Sequence, residues 1–185
     1  MDRRAFLRRG VGSATALGVG AGLGGCSQNG PMGTLATAVG ARGSDFEAFE
    51  SFVVSVREIR VLPAASATAT EEHRADELVF EAGGKTVDLV GLTDGETALV
   101  HEQSIASGPY AYLKLTVGSV DATLEGGKVA KVTALEGGAM KFNRAFEIQT
   151  RGTTRYVTML RPVQQTDTYR YRLTALDVPT VTFEG

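Results

Sequence analysis

Apolar and polar residues alternate with period two over much of this chain, the pattern of strands with one buried face. The segment MKFNRAFEIQ puts Met140, Phe142, Phe146 and Ile148 on one face and Lys141, Asn143, Glu147 and Gln149 on the other. Arg144 interrupts the apolar face. An unpaired cation is costly to bury, so the spacing predicts Arg144 at an edge or an opening. YLKLTV aligns Leu113, Leu115 and Val117, and YRYRLTA aligns Tyr169, Tyr171, Leu173 and Ala175.

The alternation changes phase twice. Val54 and Val56 are even-numbered, whereas Ile59 and Val61 are odd, so the slip falls between Arg57 and Glu58. Leu115 and Val117 are odd, whereas Val120, Ala122 and Leu124 are even, so a second slip falls at Gly118 and Ser119. One extra residue flips every later side chain to the other face, so each slip predicts a β-bulge or a bend.

Glycine pairs in EAGGKT, LEGGKV and LEGGAM are expected to form hairpin turns, because glycine accepts positive φ. Helical spacing is confined to SDFEAFESF, with Phe46, Phe49 and Val53 on one face and Ser44 as its cap, and to a turn in TDGETALVHE. Residues 64–77, AASATATEEHRADE, lack both periodicity and apolar bulk and read as a long exposed loop. The expected fold is all-β: an antiparallel β-sandwich, immunoglobulin-like or transthyretin-like, of about 7–9 strands with one or two short helical turns.

The N-terminus follows a different pattern. Arg3, Arg4, Arg8 and Arg9 form a basic head, and residues 10–25 are uncharged and rich in Gly and Ala. Sixteen helical residues reach about 24 Å, short of a hydrocarbon core of roughly 30 Å, so the run reads as a signal peptide. DRRAFLR resembles a twin-arginine export motif through Arg3 and Arg4, and LGGC resembles a lipobox ending at Cys26, the only cysteine. The division is therefore residues 1–25 as cleaved signal peptide, 26–32 as lipidated cysteine and tether, and 33–185 as the β domain. A lipid anchor at Cys26 holds the protein to the membrane, each buried CH₂ contributing about 0.8 kcal/mol.

Removing residues 1–25 takes away four arginines and Asp2, leaving 15 basic and 20 acidic side chains. That balance gives no sign of nucleic-acid binding, which needs a basic patch or stripe. A single cysteine excludes an internal disulfide. GGKT at residues 83–86 lacks the earlier glycine of a phosphate loop, since Val79 stands there. No G-x-S-x-G occurs, and the sole histidines, His73 and His101, fall short of a zinc set. The weak metal candidates are Asp88, Asp94 and Glu96, acids near a tight glycine loop of the kind calcium takes. Asp88, Asp94 and Glu147 are the acids for a hydrolase using paired carboxylates. Arg161, Arg170 and Arg172, interleaved with tyrosines, read either as a face for an anionic polymer or as solvated stems over aromatics. No cofactor is expected.

The blocks GTLATAVGARGSDFEAFESFVVSVREIRVLP, KTVDLVGLTDGETALV, SGPYAYLKLTV and MLRPV, in this order, resemble domain-of-unknown-function family 4382 over roughly residues 33–163. The resemblance implies a β-sandwich in a secreted or lipid-anchored prokaryotic protein. It implies no catalytic residues. The expected function is a lipid-anchored extracytoplasmic module that binds or scaffolds, on the outer face of the cytoplasmic membrane, with a surface protein or polysaccharide as partner. The rivals are a calcium-dependent adhesion module around residues 88–96 and the polymer-acting hydrolase.

Overall fold

The computed structural model describes residues 30–67, 76–92, 94–134, 138–166, 169–176 and 178–185. Among them are eleven strands: β1 (Met32–Arg42), β2 (Phe49–Pro63), β3 (Leu78–Asp88), β4 (Asp94–Ala106), β5 (Gly108–Leu124), β6 (Lys128–Thr133), β7 (Ala139–Phe142), β8 (Phe146–Ile148), β9 (Thr153–Gln164), β10 (Arg170–Ala175) and β11 (Thr180–Glu184). No α-helix occurs among the described residues. Single 3-10 turns stand at Gly43–Asp45, Ala64–Ser66 and Val90–Leu92.

The all-β expectation holds, but the sandwich does not. The strands form one mixed sheet, ordered β3-β2-β5-β6-β10-β9-β1-β4, nearly closed into a barrel. β7 and β8 add to β5, and β11 adds to β9. Two pairings are parallel, β1 with β9 and β6 with β10. The β6–β10 pair joins what would otherwise be two separate layers. Period-two alternation is the same in parallel and antiparallel ladders, so the sequence pattern carried no sign of it. At the open seam, the edge strands β3 and β4 meet through side chains, with the Phe80 ring stacked on His101 at 6.0 Å.

Both phase slips are bulges, and they face each other across β2 and β5. Val56 pairs with Val117 and Glu58 with Thr116, leaving Arg57 as the extra residue. Val54 pairs with Val120, so Gly118 and Ser119 together oppose Ser55. The backbone N–H of Ser119, freed from the ladder, donates to Ser55 Oγ at 2.8 Å. On each side of the bulges the inward residues are those the alternation selects: Val54, Val56, Ile59 and Val61 from β2, and Leu113, Leu115 and Val117 from β5, all buried.

Three local expectations change. Gly83 and Gly84 form no hairpin. They sit at positive φ inside β3, where residues 82–84 bulge out opposite Arg57 of β2. The hairpin does form at Gly126 and Gly127 between β5 and β6, closed by Gly127 N–H donating to Leu124 O at 3.0 Å. The first half of LEGGAM, residues 135–137, lies outside the described residues, while Gly138 sits at positive φ and Ala139 begins β7. Residues 94–102 of TDGETALVHE are part of strand β4, paired over most of their length with β1, because sheet partners outweigh a weak local helical spacing. In SDFEAFESF the chain makes only a 3-10 turn, containing Ser44, and then enters β2, so Ser44 caps no α-helix. Phe46 and Phe49 are still buried, packed edge-on against Phe52 at 5.3 and 5.0 Å, with Tyr171 4.8 Å from Phe49. These rings plug one end of the body.

At the other end β1 begins beside the turns that follow β4 and β8. Ser107 N–H donates to Pro31 O at 2.8 Å and Arg151 N–H to Met32 O at 2.9 Å. Gly33 sits in this corner, where an added Cβ would fall 2.0 Å from the Gln149 carbonyl oxygen. Gly33→Ala is expected to cost about 1–3 kcal/mol or more through overpacking against backbone. Gly84→Ala, in open space, costs only the left-handed backbone, about 1 kcal/mol. Urea denaturation midpoints of the two variants check this order.

Candidate functional site

Asp88 ends β3, and its carboxylate is spent on the backbone. Oδ1 accepts from Phe52 N–H at 3.0 Å and from Val90 N–H at 3.1 Å, which locks the crossing from β3 to β4 onto β2. Asp94 starts β4 in register with Arg42, and Glu96 is exposed on the same strand. Among the described residues no three His, Cys, Asp or Glu side chains gather as a metal set. Glu147 lies beside Pro109 on β5, whereas Asp88 lies beside Val53, whose β5 partner is Asp121. Twelve residues of β5 separate those two points, roughly 40 Å at about 3.3 Å per residue. A glycosidase pair needs its carboxyls within about 5–9.5 Å. Cys26, Arg3, Arg4 and His73 lie outside the described residues.

His101 is half-buried at the β3–β4 seam, its ring stacked on Phe80. Its Nε2 is buried without a hydrogen-bond partner among the described residues, and burial lowers its pKa. The arginine stripe divides by strand parity. Arg161, Arg170 and Arg172 face outward, while Tyr171 is buried under Phe49. Tyr169 lies under Lys128, whose Nζ is 4.5 Å from the ring centroid and donates to its hydroxyl at 2.7 Å. Tyr110 is buried on Phe146 and donates to Ala106 O at 2.9 Å.

One charged cluster was invisible to sequence reasoning. Glu77, at the end of the segment read as an exposed loop, has its side chain fully buried. Tyr112 Oη and Lys114 Nζ both donate to Glu77 Oε1. Arg60 reaches Glu77 Oε2 at 3.5 Å and also pairs with Glu58. Burial opposes the charge on Glu77, but the hydrogen bonds from Lys114 and Tyr112 and the nearby cations outweigh it, and its carboxyl is held below the usual range. Its partners come from β2 and β5, so no local spacing marks it.

Beside this cluster the barrel wall opens. β7 and β8 leave β5 on one side, and the end of β10 lies on the other. A groove of about 570 Å³ separates them, lined by residues 140–144, 174–176, 178 and 179. Among the described residues its floor and far wall combine the apolar Met140, Phe142, Ala175, Leu176, Val178 and Pro179 with the hydroxyl of Thr174. Its rim carries Lys141, Asn143 and Arg144. Arg144 thus stands at an opening, as the interrupted alternation implied. In an unbroken strand it would share the inward face of Phe142 and Phe146. Instead the chain leaves the strand at residues 143–145, and the guanidinium stays exposed. Lys141 Nζ sits over the Tyr112 ring, 4.1 Å from its centroid. Behind the floor, Tyr156 packs on Phe142 and Phe146 at 6.3 and 5.0 Å. Burial pushes its phenol well above the usual range, and the charge of Arg144 opposes that rise.

Glu77 makes its stabilisation above its ordinary carboxylate value of 4.5, and loses it as pH falls through the lowered folded value. Wild-type thermal stability should therefore drop on acidification through that window, and Glu77→Gln should flatten this part of the profile. At neutral pH the variant should be less stable by about 1.5–3 kcal/mol, the worth of a hydrogen bond to a charged group. Melting temperatures of both proteins across the window check it.

No curated protein matches the sequence significantly. A family model described as "Domain of unknown function (DUF4382)" matches residues 41–174, from the end of β1 into β10. With most of its length covered by that match, from the bulged β2–β5 pair to the first wall of the groove, the chain belongs to the DUF4382 family.

Proposed function

We propose that this protein is an exported binding or scaffolding module, held to the outer face of the cytoplasmic membrane by acyl chains on Cys26. The twin-arginine-like head and the lipobox-like LGGC support the address. The β body begins at Met32, so a tether from Cys26 spans at most about 22 Å when fully extended. On this reading the end carrying Pro31, Ser107 and Arg151 faces the lipid, and the groove opens on the flank.

The observation that carries binding over catalysis is the groove itself, a concave surface lined by both apolar and polar side chains. The calcium reading is weakened because Asp88 already accepts two backbone N–H groups. The hydrolase reading is weakened by the separation of Asp88 from Glu147 along β5. A surface protein or polysaccharide remains the proposed class of larger partner.

Mass spectrometry of protein from native membranes should find an N-terminus at Cys26 bearing acyl groups. Cys26→Ser should move the protein out of the membrane fraction. An unmodified thiol, or residues retained ahead of it, would defeat the anchor. The purified protein should show no turnover of nitrophenyl glycosides or esters, and calorimetry with calcium should show no binding heat. Turnover lost on mutating Glu147, or a calcium-dependent rise in melting temperature, would replace the binding reading with one of its rivals.

A further inference from the structure

Four buried polar atoms on the inner face of the sheet find no hydrogen-bond partner among the described residues. They are Thr37 Oγ1 on β1, His101 Nε2 on β4, and Tyr156 Oη and Thr158 Oγ1 on β9. The strand pairing sets them side by side. Thr37 stands directly opposite His101 on one neighbour and Tyr156 on the other. Thr158 follows two residues after Tyr156, opposite Val39. Paired residues share a face, and this face looks inward, since Leu35, Val39 and Tyr156 belong to the hydrophobic core. Thr37, Tyr156 and Thr158 are wholly buried. From a strand spacing of about 4.8 Å and a rise of about 3.3 Å per residue, Thr37 and Thr158 lie roughly 8 Å apart along the diagonal. The β1–β4 ladder also slips beside this row. His101 pairs with Thr37 and Leu99 with Ala38, which leaves Val100 as the extra residue of a bulge.

Other buried polar groups show how a protein partner is found. Thr154 lies two residues before Tyr156 on the same face, and its hydroxyl donates to Glu147 O at 2.9 Å. Glu77 is satisfied by Tyr112 and Lys114. A buried hydroxyl without a partner keeps the full cost of leaving water, and valine would fill the space of either threonine without that cost. The row is also neutral. Burial disfavours the charged forms of His101 and Tyr156 alike. An ion would meet no opposite charge on these four side chains, and an apolar guest would leave all four unsatisfied. We propose that this row across β4, β1 and β9 is a binding site for a small cluster of internal water, hydrogen-bonded to Thr37, Tyr156 and Thr158 and reaching His101 at the seam. Water both donates and accepts, as the hydroxyls do, and inside proteins it takes about three partners. One or two such molecules cover the diagonal from Thr37 to Thr158, each hydrogen bond spanning about 2.8 Å. The parallel β1–β9 pair is then tied across its inner face by hydrogen bonds that its backbone ladder does not supply. None of the four residues lines the groove, so occupancy of this site does not depend on the binding reading above.

A crystal structure of the full chain, at a resolution that orders water, tests the site directly. Density the size of single waters is expected about 2.7–3.2 Å from Thr37 Oγ1 and from Thr158 Oγ1. A row without such density overturns the proposal, and density for a larger molecule overturns water as the occupant. Thermal stability gives an independent sign. In a dry row, Thr37→Val, Thr158→Val and Tyr156→Phe each remove a stranded hydroxyl, so each variant would melt at or above the wild-type temperature. In a hydrated row each removes an anchor of the water and strands its neighbours. Each variant is therefore expected to melt about 2–4 °C lower, and Thr37→Val combined with Thr158→Val to lower the midpoint by less than the sum, because the first change already releases shared water. Unchanged or raised midpoints in the three single variants overturn the site. All three substitutions nearly preserve side-chain volume, and the wild-type crystal structure decides the question even for a variant that does not fold.

Discussion

The sharing of one strand edge governs this architecture. β5 runs seventeen residues and gives one edge wholly to β2. Its other edge passes in turn to β8, β7 and β6. No single strand is long enough to cover that edge, so the partners change along it. At the β6 end the chain clasps β10 in parallel and the wall closes. At the β7 and β8 end there is no such clasp, and the wall parts into the groove. The facing bulges of β2 and β5 make the long pair bend, as a nearly closed sheet requires. Ser55 satisfies the backbone group that this bend leaves unpaired.

The electrostatics follow from the same wall. The bulge at Arg57 lies beside the charged pocket of Glu58, Arg60, Glu77 and Lys114. Glu77 gathers the cations of β2 and β5 around a buried carboxylate, where breaking one partner leaves a charge poorly solvated. Structural and candidate binding chemistry thus occupy adjacent pockets with one lysine common to both. The family match ends at residue 174, so of the groove's second wall Thr174 falls within it and Ala175, Leu176, Val178 and Pro179 lie beyond it. The two walls of the groove therefore differ in their relation to the family: β7 and Arg144 fall within its matched region, and most of the second wall does not.

Much of the fold was legible in the order of residues. Strand faces follow from side-chain period, so Met140, Phe142, Phe146, Ile148, Leu113, Leu115 and Val117 were assigned to the interior and are buried there. Both bulges followed from parity, because one extra residue reverses every later position. Arg144 followed from the cost of burying a lone cation. Where only neighbours along the chain decide a conformation, the pattern was enough.

Where distant segments decide, it was not. Gly83 and Gly84 have the composition of a hairpin, but β2 pairs on both sides of them and makes them a bulge. TDGETALVHE has no strong local preference, and β1 makes it a strand. Glu77 became a buried anchor only through Tyr112 and Lys114, 35 and 37 residues away. Asp88 became a backbone cap only because β2 brought Phe52 to it. The sequence by itself determined which residues face inward and where the strands slip. Only the tertiary structure decided the parallel clasp, the near-closure and the groove, since each rests on which edges meet, and strand edges are uniform backbone that carries no residue code.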